Sequence, residues 1–327
     1  MRKAALIFNP DSGGSQKLQR KLESALAILR NAGVEAELIP AATRPDGAEA
    51  TRRAVDSGCD TIFVCGGDGT INNVAQVLAN SSVALAVLPM GTANALAHDL
   101  GLPLDVAAAA EAAVRAVPKR VALGHIEYTN LQGNPDAQYF VVAAGVGVDA
   151  HLFYKLQSRI KQRMGMTAYY TKAWNLWFTY PMTRFVVAYI ENGSNESRRA
   201  EVTELLGVRI RNFGGVLREL APGASLDRDD VRLVLCCTGS RLAYLAYVAR
   251  GLLGQRWTIP GIDLAHSATV RCQYRESPSA EARDRQRKIY VEADGELLGT
   301  LPAEITIVPN ALTLLAPARS VPLSPGD

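Results

Sequence analysis

The first 118 residues alternate short apolar runs with longer amphipathic ones, and this alternation restricts the fold more than any other feature of the chain. Short runs such as 4–8 and 61–65 are apolar and β-branched, which predicts buried strands. Between them lie helical patterns such as 16–32, where apolar residues recur every three or four positions. Strands joined by crossover helices require a mostly parallel sheet covered on both faces. We therefore predict a three-layer α/β domain over residues 1–118.

The individual elements of this domain follow from the same patterns. The predicted strands are 4–8, 34–39, 61–65 and 83–88, and the predicted helices are 16–32, 48–57, 71–80, 93–100 and 106–116.

The pattern changes after Pro118, where strand-like runs follow one another with turn residues between them. This succession predicts a larger β-sandwich domain over residues 119–327, with helical insertions at about 152–180 and 240–253 and a C-terminal tail that packs back on the first domain. The predicted strands are 121–129, 138–144, 183–191, 201–211, 230–237, 268–274, 288–293 and 304–309.

Composition excludes several classes of protein. Lys+Arg 35 against Asp+Glu 32 leaves a net charge of +3, which is too little for a dedicated nucleic-acid binder. The five cysteines include no C-x-x-C pair, and neither H-E-x-x-H nor G-x-S-x-G occurs, so zinc proteins and serine hydrolases have no support. The apolar start is too short for a signal peptide and no run is long enough to span a membrane. We therefore expect a cytoplasmic protein.

A glycine-rich turn after the strand at 61–65 is the most informative local feature. Gly66, Gly67 and Gly69 lie within four residues and precede a helix whose predicted N-cap is Thr70. Glycines permit the positive φ angles that turn successive N–H groups toward one point, and a helix N-terminus favours anions. Asp68 among such amides would repel a bare phosphate, which predicts Mg²⁺ between them. A tight turn without a ligand is the alternative, and a Walker A loop is excluded because no Gly-Lys pair occurs.

Two other loops are expected at the same edge of the sheet. Residues 9–14 follow the first strand and residues 88–94 follow another, and the carboxyl ends of parallel strands meet at one edge. Three loops together predict a nucleotide site. Residues 145–150 match G-x-G-x-x-A by spacing, but no βαβ unit follows them, so we predict a tight bend there with Asp149 at its exit.

These residues resemble the diacylglycerol kinase catalytic-domain family, which includes bacterial lipid kinases and the sphingosine and ceramide kinases. The similar motifs cover nearly the whole chain. They are Asn9-Pro10-x-Ser12-Gly13, Gly66-Gly67-Asp68-Gly69-Thr70, Leu88-Pro89-x-Gly91-Thr92-x-Asn94, Gly145-x-Gly147-x-Asp149-Ala150, Ala221-Pro222-x-Ala224-x-Leu226-Asp227 and Asp294-Gly295-Glu296. The second motif alone is shared with NAD kinases and 6-phosphofructokinases.

The resemblance implies an ATP-dependent, Mg²⁺-requiring kinase of lipid metabolism that phosphorylates a lipid hydroxyl in phospholipid biosynthesis. It also implies a cleft between a nucleotide domain and a β-sandwich. Asp68 would organise the Mg²⁺, Asp294 would be the general base and Glu296 would support it. The implied nucleotide-site residues are Asn9, Thr43, Gly66, Gly67, Gly69, Thr70, Gly91, Thr92 and Asn94.

Two departures from the family pattern are expected to matter. Asn73 stands where the family usually has Glu. Residues 226–230, Leu-Asp-Arg-Asp-Asp, replace a segment that holds a structural Mg²⁺ in some bacterial members. Because Arg228 stands in this segment, whether this chain binds the second ion is left open. The predicted metal ligands are Asp68, Asp149, Asp227 and Asp229.

The segment 152–180 predicts contact with a membrane. Its apolar residues recur every four positions beside a basic stripe, and two of the three tryptophans follow. The apolar set is Leu152, Leu156, Ile160 and Met164, and the basic set is Lys155, Arg159 and Arg163. An ordinary helix covering the sandwich is the alternative. We expect a lipid substrate presented at the inner face of the membrane and no nucleic-acid partner. Whether the chain forms a homodimer is left open. Two alternative functions are NAD-kinase-like phosphorylation of a nucleotide hydroxyl and ATP binding by a regulatory protein without catalysis.

Overall fold

The computed structural model describes residues 1–10, 15–148, 150, 182–214, 219–255, 257–275 and 287–317. The chain forms two compact units. Unit 1 comprises Met1–Val121 together with residues from Asn310 onward, and unit 2 comprises Ala122–Pro309.

Unit 1 is built on a parallel sheet. Its strands β1 (Lys3–Phe8), β2 (Glu35–Pro40), β3 (Thr61–Gly66) and β4 (Ala84–Pro89) lie in the order β2-β1-β3-β4. Register places Phe8 beside Cys65 and Gly66 beside Pro89. The carboxyl ends of β1, β3 and β4 therefore lie at one edge of the sheet, as the sequence predicts.

Helices cover both faces of this sheet. They are α1 (Ser15–Asn31), α2 (Arg44–Asp56), α3 (Asp68–Leu78), α4 (Ala95–Leu100) and α5 (Val106–Val114). Leu22 and Leu29 of α1 pack with α5 against one set of alternating strand residues, which includes Phe63. Helices α2 and α3 contact each other and the strands β1 and β3, whose other residues point to the opposite face. The predicted three-layer α/β fold is confirmed.

Unit 2 consists mainly of strands, and its β-rich fold is also as predicted. It contains all or most of the strands β5 (Val117–Asn130), β6 (Pro135–Phe140), β7 (Ala143–Gly147), β8 (Phe185–Ile190), β9 (Ser197–Val202), β10 (Glu204–Val208), β11 (Val231–Cys236), β12 (Ile262–Ser267), β13 (Thr269–Gln273), β14 (Tyr290–Ala293) and β15 (Glu296–Ala316). The first residues of β5 and the last residues of β15 belong to unit 1.

The strands of unit 2 form two layers that share β15. One layer runs β12-β11-β10-β7-β14-β15, and in the other β15 pairs with β13 and β5, which continue to β8, β9 and β6. A single apolar cluster takes residues from both layers, including Phe140, Phe185 and Leu233. One further helix, α6 (Arg241–Leu252), packs outside this core. Among the described residues, no helix is long and apolar enough to cross a membrane.

Several predicted strands differ from the structure. The run 201–211 divides between β9 and β10 because Thr203, which is fully buried, donates its hydroxyl to carbonyls near the end of β11. The run 138–144 divides between β6 and β7, β12 was missed, and the predicted strand 304–309 is the middle of β15. Gly145 and Gly147, predicted as a bend, lie within β7. The insertion predicted at 152–180 lies outside the described residues.

Candidate functional site

The glycine-rich turn after β3 begins helix α3 earlier than predicted. Gly67 is the N-cap residue, and the first helical residue is Asp68. The prediction of Thr70 as N-cap was therefore wrong, because Thr70 already lies in the first turn, where its N–H donates to the Gly67 carbonyl at 3.0 Å. Gly67 to Thr70 are partly exposed. The amides at this helix N-terminus suit an anion.

Gly66 and Gly67 of this turn serve close packing rather than unusual backbone angles. Gly66, Gly67 and Gly69 do not have the positive φ angles predicted from the sequence. Instead, a Cβ atom on Gly91 would lie 2.5 Å from the Gly67 Cα, and one on Gly67 would lie 3.1 Å from the Gly91 Cα. The loops after β3 and β4 therefore cross with no room for a side chain between their backbones.

Polar side chains fix the loop after β4 against the turn after β3. Asn94 has φ 50° and closes its own loop, with its Oδ1 accepting from the Gly91 N–H at 2.8 Å and its Nδ2 donating to the Gly91 carbonyl at 2.9 Å. Asp68 Oδ1 accepts from the Leu96 N–H at 3.3 Å, near the start of α4. The Asp68 carboxylate thus lies near the N-termini of two helices, α3 and α4.

Asn9 and Thr43 are brought together at the ends of β1 and β2. Asn9 Nδ2 donates to the Ala42 carbonyl at 3.3 Å. Thr43 is the N-cap of α2: its Oγ1 accepts from the Asp46 N–H at 3.3 Å, and Asp46 Oδ2 accepts from the Thr43 N–H at 3.0 Å. This capping box begins α2 at Arg44, four residues before the predicted start, and the pattern Thr-x-x-Asp was a signal for it that we missed.

Unit 1 thus places most predicted nucleotide-site residues in loops at the carboxyl edge of its sheet. The turn from the end of β3 into α3 contributes Gly66, Gly67, Gly69 and Thr70, the loop after β4 contributes Gly91, Thr92 and Asn94, and the neighbouring loops contribute Asn9 and Thr43. Thr92 is exposed, whereas Asn94 is buried. The direct contact of Gly67 with Gly91 and of Asp68 with Leu96 shows that the two central loops form one structure.

Asp294 occupies the two-residue turn between β14 and β15 in unit 2. It has φ 47° and Gly295 has φ 78°, the left-handed angles that a type I′ hairpin requires. Three backbone N–H groups donate to its carboxylate: Val141 to Oδ2 at 2.8 Å, and Val142 and Ala143 to Oδ1 at 2.8 and 3.0 Å. These bonds hold the carboxylate in one orientation.

Two glutamates flank this turn. Glu296, the predicted supporting residue, is half-buried at the start of β15, opposite Ala293. Glu292 is buried, and its Oε2 accepts from the Gly295 N–H at 2.9 Å, so it holds the turn from the preceding strand. Its position in a strand pattern gave no signal for this role.

Comparison with known protein families agrees with this arrangement. Residues 3–126 match the model of the diacylglycerol kinase catalytic domain, and residues 141–316 match that of the YegS C-terminal NAD kinase beta sandwich-like domain. The chain belongs to the diacylglycerol kinase catalytic-domain family.

Similar proteins are found along nearly the whole chain. A diacylglycerol kinase of Bacillus subtilis (strain 168) is 27% identical over 93% of this chain and 93% of its own length. A diacylglycerol kinase of Staphylococcus epidermidis is also 27% identical, over 97% of this chain and 92% of its own. A crystal structure of a diacylglycerol kinase from Bacillus anthracis str. Sterne has a TM-score of 0.69 at 19% identity, covering 96% of this chain and 97% of that one. This likeness supports the two-domain fold.

Asn73 departs from the diacylglycerol kinase family pattern for a structural reason. Its Nδ2 donates to the Arg44 carbonyl at 2.8 Å, and a Cβ on Gly47 would lie only 2.5 Å from that nitrogen. Asn73 is buried, so this amide connects α3 to the start of α2. A carboxylate at this position would place an acceptor against the Arg44 carbonyl.

The segment 226–230 departs from the family pattern as well. Asp227 and Asp229 are exposed, and the buried carboxylate is Asp230. Asp230 accepts from Arg228 Nε at 2.8 Å and Asn192 Nδ2 at 2.6 Å, and its Oδ1 lies 3.1 Å from His266 Nδ1. Although burial opposes it, the hydrogen bond from Arg228 and the charge of His266 hold the pKa of Asp230 below its ordinary value.

The donor sets for metal ions differ between the two predicted sites. Mg²⁺ is commonly bound through one or two carboxylates and the substrate phosphates, so the partly exposed Asp68 suits it. In the second set Asp227 and Asp229 are exposed, and the buried carboxylate beside them, Asp230, is paired with the Arg228 guanidinium. Within the described ranges, no three His, Cys, Asp or Glu side chains converge as metal ligands. Asp149 lies outside those ranges.

Proposed function

We propose that this chain is a lipid kinase that transfers the γ-phosphoryl group of ATP to a hydroxyl of a diacylglycerol-like lipid, with Mg²⁺. The fixed carboxylate of Asp294 carries the proposal, because an alcohol must lose a proton as it attacks phosphorus. The family membership and relatives named diacylglycerol kinase over more than nine-tenths of this chain support it.

The loops of unit 1 are the proposed nucleotide site. The N–H groups of the first turn of α3 would bind phosphate oxygens. Because Gly67 and Gly91 have no side chains, the phosphates could come close to the backbone there. Asn9, Thr43 and Thr92 would orient the nucleotide, and Asp68 would hold the metal ion. When bound, Mg²⁺ neutralises the charge on the transferred group.

Asp294 would accept the proton of the attacking hydroxyl. The lipid oxygen then forms its bond to the γ-phosphorus while the bond from that phosphorus to ADP breaks. A carboxylate held in one orientation suits this role, because phosphoryl transfer depends mainly on positioning and charge neutralisation. Glu296 would support the turn beside it.

A panel of acceptors tests the proposal. The full chain with ATP and Mg²⁺ receives diacylglycerol, phosphatidylglycerol, monoacylglycerol, a sphingoid base or NAD, and phosphate transfer is measured. We expect transfer to one lipid class, with at least a hundredfold loss in Asp294→Asn. Asp136→Asn, an exposed carboxylate on β6, is the matched control and should retain wild-type turnover.

Three results would contradict the proposal in different ways. Phosphorylation of NAD alone would establish NAD-kinase-like transfer instead. Binding of ATP with no transfer to any acceptor would establish a regulatory nucleotide binder. Equal turnover by folded Asp294→Asn would remove Asp294 as the base.

A further inference from the structure

Helix α6 exposes an apolar face. Five of the eleven large apolar side chains that are exposed among the described residues lie in or just after this helix. We call this set the α6 patch: Leu242, Val248, Leu252, Leu253 and Trp257. Leu242 is 77% exposed and Leu253 is 65% exposed, so these are outward-facing side chains and not the rim of the core.

The opposite face of α6 is also apolar and is already buried. Tyr247 and Gly251 face inward, and Tyr247 packs with Val234 and Ile259 of the unit 2 core. An amphipathic helix of a water-soluble surface would carry polar residues on its outer face, whereas α6 is apolar on both sides. The outer face therefore needs a partner that water does not provide.

The segment that carries the α6 patch is rich in arginine. Residues 231–262 contain no Asp, Glu or Lys, and their four arginines are Arg232, Arg241, Arg250 and Arg256, although the next residue, Asp263, is an exposed carboxylate. An apolar surface that includes a tryptophan, on a segment whose charged residues are arginines, is complementary to the interface of an anionic bilayer. A docking helix for a second protein chain would not need this excess of arginine.

Arg250 supplies a second, independent observation. It is 4% exposed, and its Nε and one Nη atom have no hydrogen-bond partner within the described part of the chain. The guanidinium lies 4.2 Å from the centre of the Tyr247 ring. A buried guanidinium with unsatisfied N–H groups is costly unless an anion pairs with it.

A cavity of about 530 Å³ connects this arginine to the α6 patch. Arg250, Tyr247 and Ile259 line it, and so does Trp257, which belongs to the patch. Trp257 and Pro260 are exposed, so the cavity reaches the surface beside the patch. Asp263 also lines the cavity, and its carboxylate accepts from the Cys237 thiol at 3.6 Å.

We propose that the α6 patch docks this protein on a bilayer containing anionic phospholipid, with Arg250 binding a lipid phosphate through the cavity. This rests on the proposed function, because a kinase whose acceptor is a lipid must reach a bilayer. The leucines and Trp257 enter the interface, and the guanidinium gives the surface its preference for anionic headgroups.

Vesicle sedimentation without ATP or acceptor tests the proposal. The full chain is mixed with vesicles of phosphatidylglycerol and phosphatidylcholine in equal parts, or of phosphatidylcholine alone. We expect Leu242→Glu/Leu252→Glu to bind both at least tenfold more weakly, since both leucines lose their transfer to the bilayer. Leu131→Glu, on a turn of unit 2 and 45% exposed, is the control and should bind as wild type does.

Arg250→Met separates the charge from the apolar contact. We expect it to bind the mixed vesicles about fivefold more weakly and the phosphatidylcholine vesicles as wild type does. Its melting temperature should not fall, because the variant removes an unsatisfied buried charge. If it fails to fold, Arg250→Lys, which retains the charge, should show a smaller loss on mixed vesicles only.

Other outcomes overturn the docking proposal. Wild-type vesicle binding by Leu242→Glu/Leu252→Glu would do so. A wild-type dimer that this variant converts to a monomer, with vesicle binding unchanged, would make the patch an interface between two copies. If wild type phosphorylates a short-chain diacylglycerol in solution but does not bind vesicles, the docking proposal is overturned and the kinase proposal stands. If wild type binds vesicles but phosphorylates no acceptor, the kinase proposal is overturned and the docking proposal stands.

Discussion

At the scale of single residues, the candidate site depends on contacts that leave no room for change. Gly67 and Gly91 touch through their backbones, and Asp294 lies in a turn where three N–H groups donate to its carboxylate. The first contact requires the absence of a side chain, and the second requires an acceptor at both carboxylate oxygens. Conservative substitutions therefore test these positions sharply.

Gly91→Ala should weaken nucleotide binding. Its Cβ would lie 2.5 Å from the Gly67 Cα, so the two loops must separate, at a cost of about 1–3 kcal/mol. Titration with ATP and thermal unfolding measure the two effects. Gly239→Ala is the control, because its Cβ would meet only Met182 at an ordinary 3.8 Å. Unchanged ATP affinity in Gly91→Ala would show that the contact does not shape the site.

Asp294→Asn should lose stability as well as activity. An asparagine keeps one acceptor for Val142 and Ala143 but turns its NH₂ group toward the Val141 N–H, leaving a donor against a donor. We expect the free energy of unfolding to fall by about 1–3 kcal/mol. Denaturant unfolding measures this loss, and an unchanged midpoint would mean that the three bonds contribute nothing. Kinetic comparisons therefore need conditions in which both proteins are folded.

At the scale of elements, side chains between helices and strands explain why this chain departs from its family. Asn73 connects α3 to the start of α2. Arg228, Asn192 and His266 surround the buried Asp230 between the chain before β11 and strand β12. Asn73 thus satisfies the Arg44 carbonyl, and Arg228 satisfies a buried carboxylate, although each residue breaks the family motif.

Asn73→Glu, which introduces the usual family residue, should destabilise unit 1. The amide donor to the Arg44 carbonyl is replaced by a buried carboxylate that repels it, which costs about 1–3 kcal/mol. Thermal unfolding measures the loss. Gln16→Glu adds the same charge at an exposed position of α1 and should leave the melting temperature unchanged. A stable Asn73→Glu would show that the motif tolerates either residue.

Arg228→Met should make unit 2 less stable in a pH-dependent way. Asp230 loses its strongest partner, and we expect a loss of about 1–3 kcal/mol at pH 7. Because the folded-state pKa of Asp230 is lowered, its contribution is present above its unfolded pKa near 4 and is lost as pH falls. The difference from wild type should therefore narrow below pH 4. The exposed Arg199→Met is the control, and a difference independent of pH would exclude Asp230 as its source.

Periodicity in the sequence predicts the elements of unit 1 because their helices bury one face and their strands bury both. It does not predict contacts between distant segments. Val141 is 153 residues from Asp294, and Gly67 meets Gly91 only after the sheet forms. Local signals also compete: the glycines at 66–69 indicated Thr70 as the helix N-cap, whereas the helix begins at Asp68 and Gly67 packs against Gly91. The apolar outer face of α6 was invisible for the same reason, since burial depends on the whole fold.

At the scale of the whole molecule, unit 1 is completed by a distant part of the chain. Thr313 of β15 pairs with Ala84 of β4, and the Asn80 N–H donates to the Ala311 carbonyl at 2.6 Å. Arg120 donates to the Ser81 carbonyl and to the Thr313 hydroxyl. Residues 310–316 are therefore part of unit 1.

A chain that ends at Pro309 should lose the stability of unit 1. It lacks Leu312, Leu314 and Leu315, all buried, and each contributes about 1.5–3 kcal/mol. We expect loss of ATP binding and aggregation through the exposed edge of β4. A chain that ends at Ala316 retains every described contact of β15 and is the control. Equal ATP affinity of the two chains would show that unit 1 folds without this strand.

This arrangement has a consequence for synthesis on the ribosome. The chain emerges from its N-terminus, so β4 is made long before its neighbour in β15. At about 5–20 residues per second, translation of Ala122–Pro309 takes on the order of 10–40 s, during which the edge of β4 has no strand to pair with. The unpaired edge of β4 in the nascent chain therefore needs chaperone binding, or rapid elongation, to avoid aggregation. This need lasts longer than in a protein whose domains are each continuous in sequence.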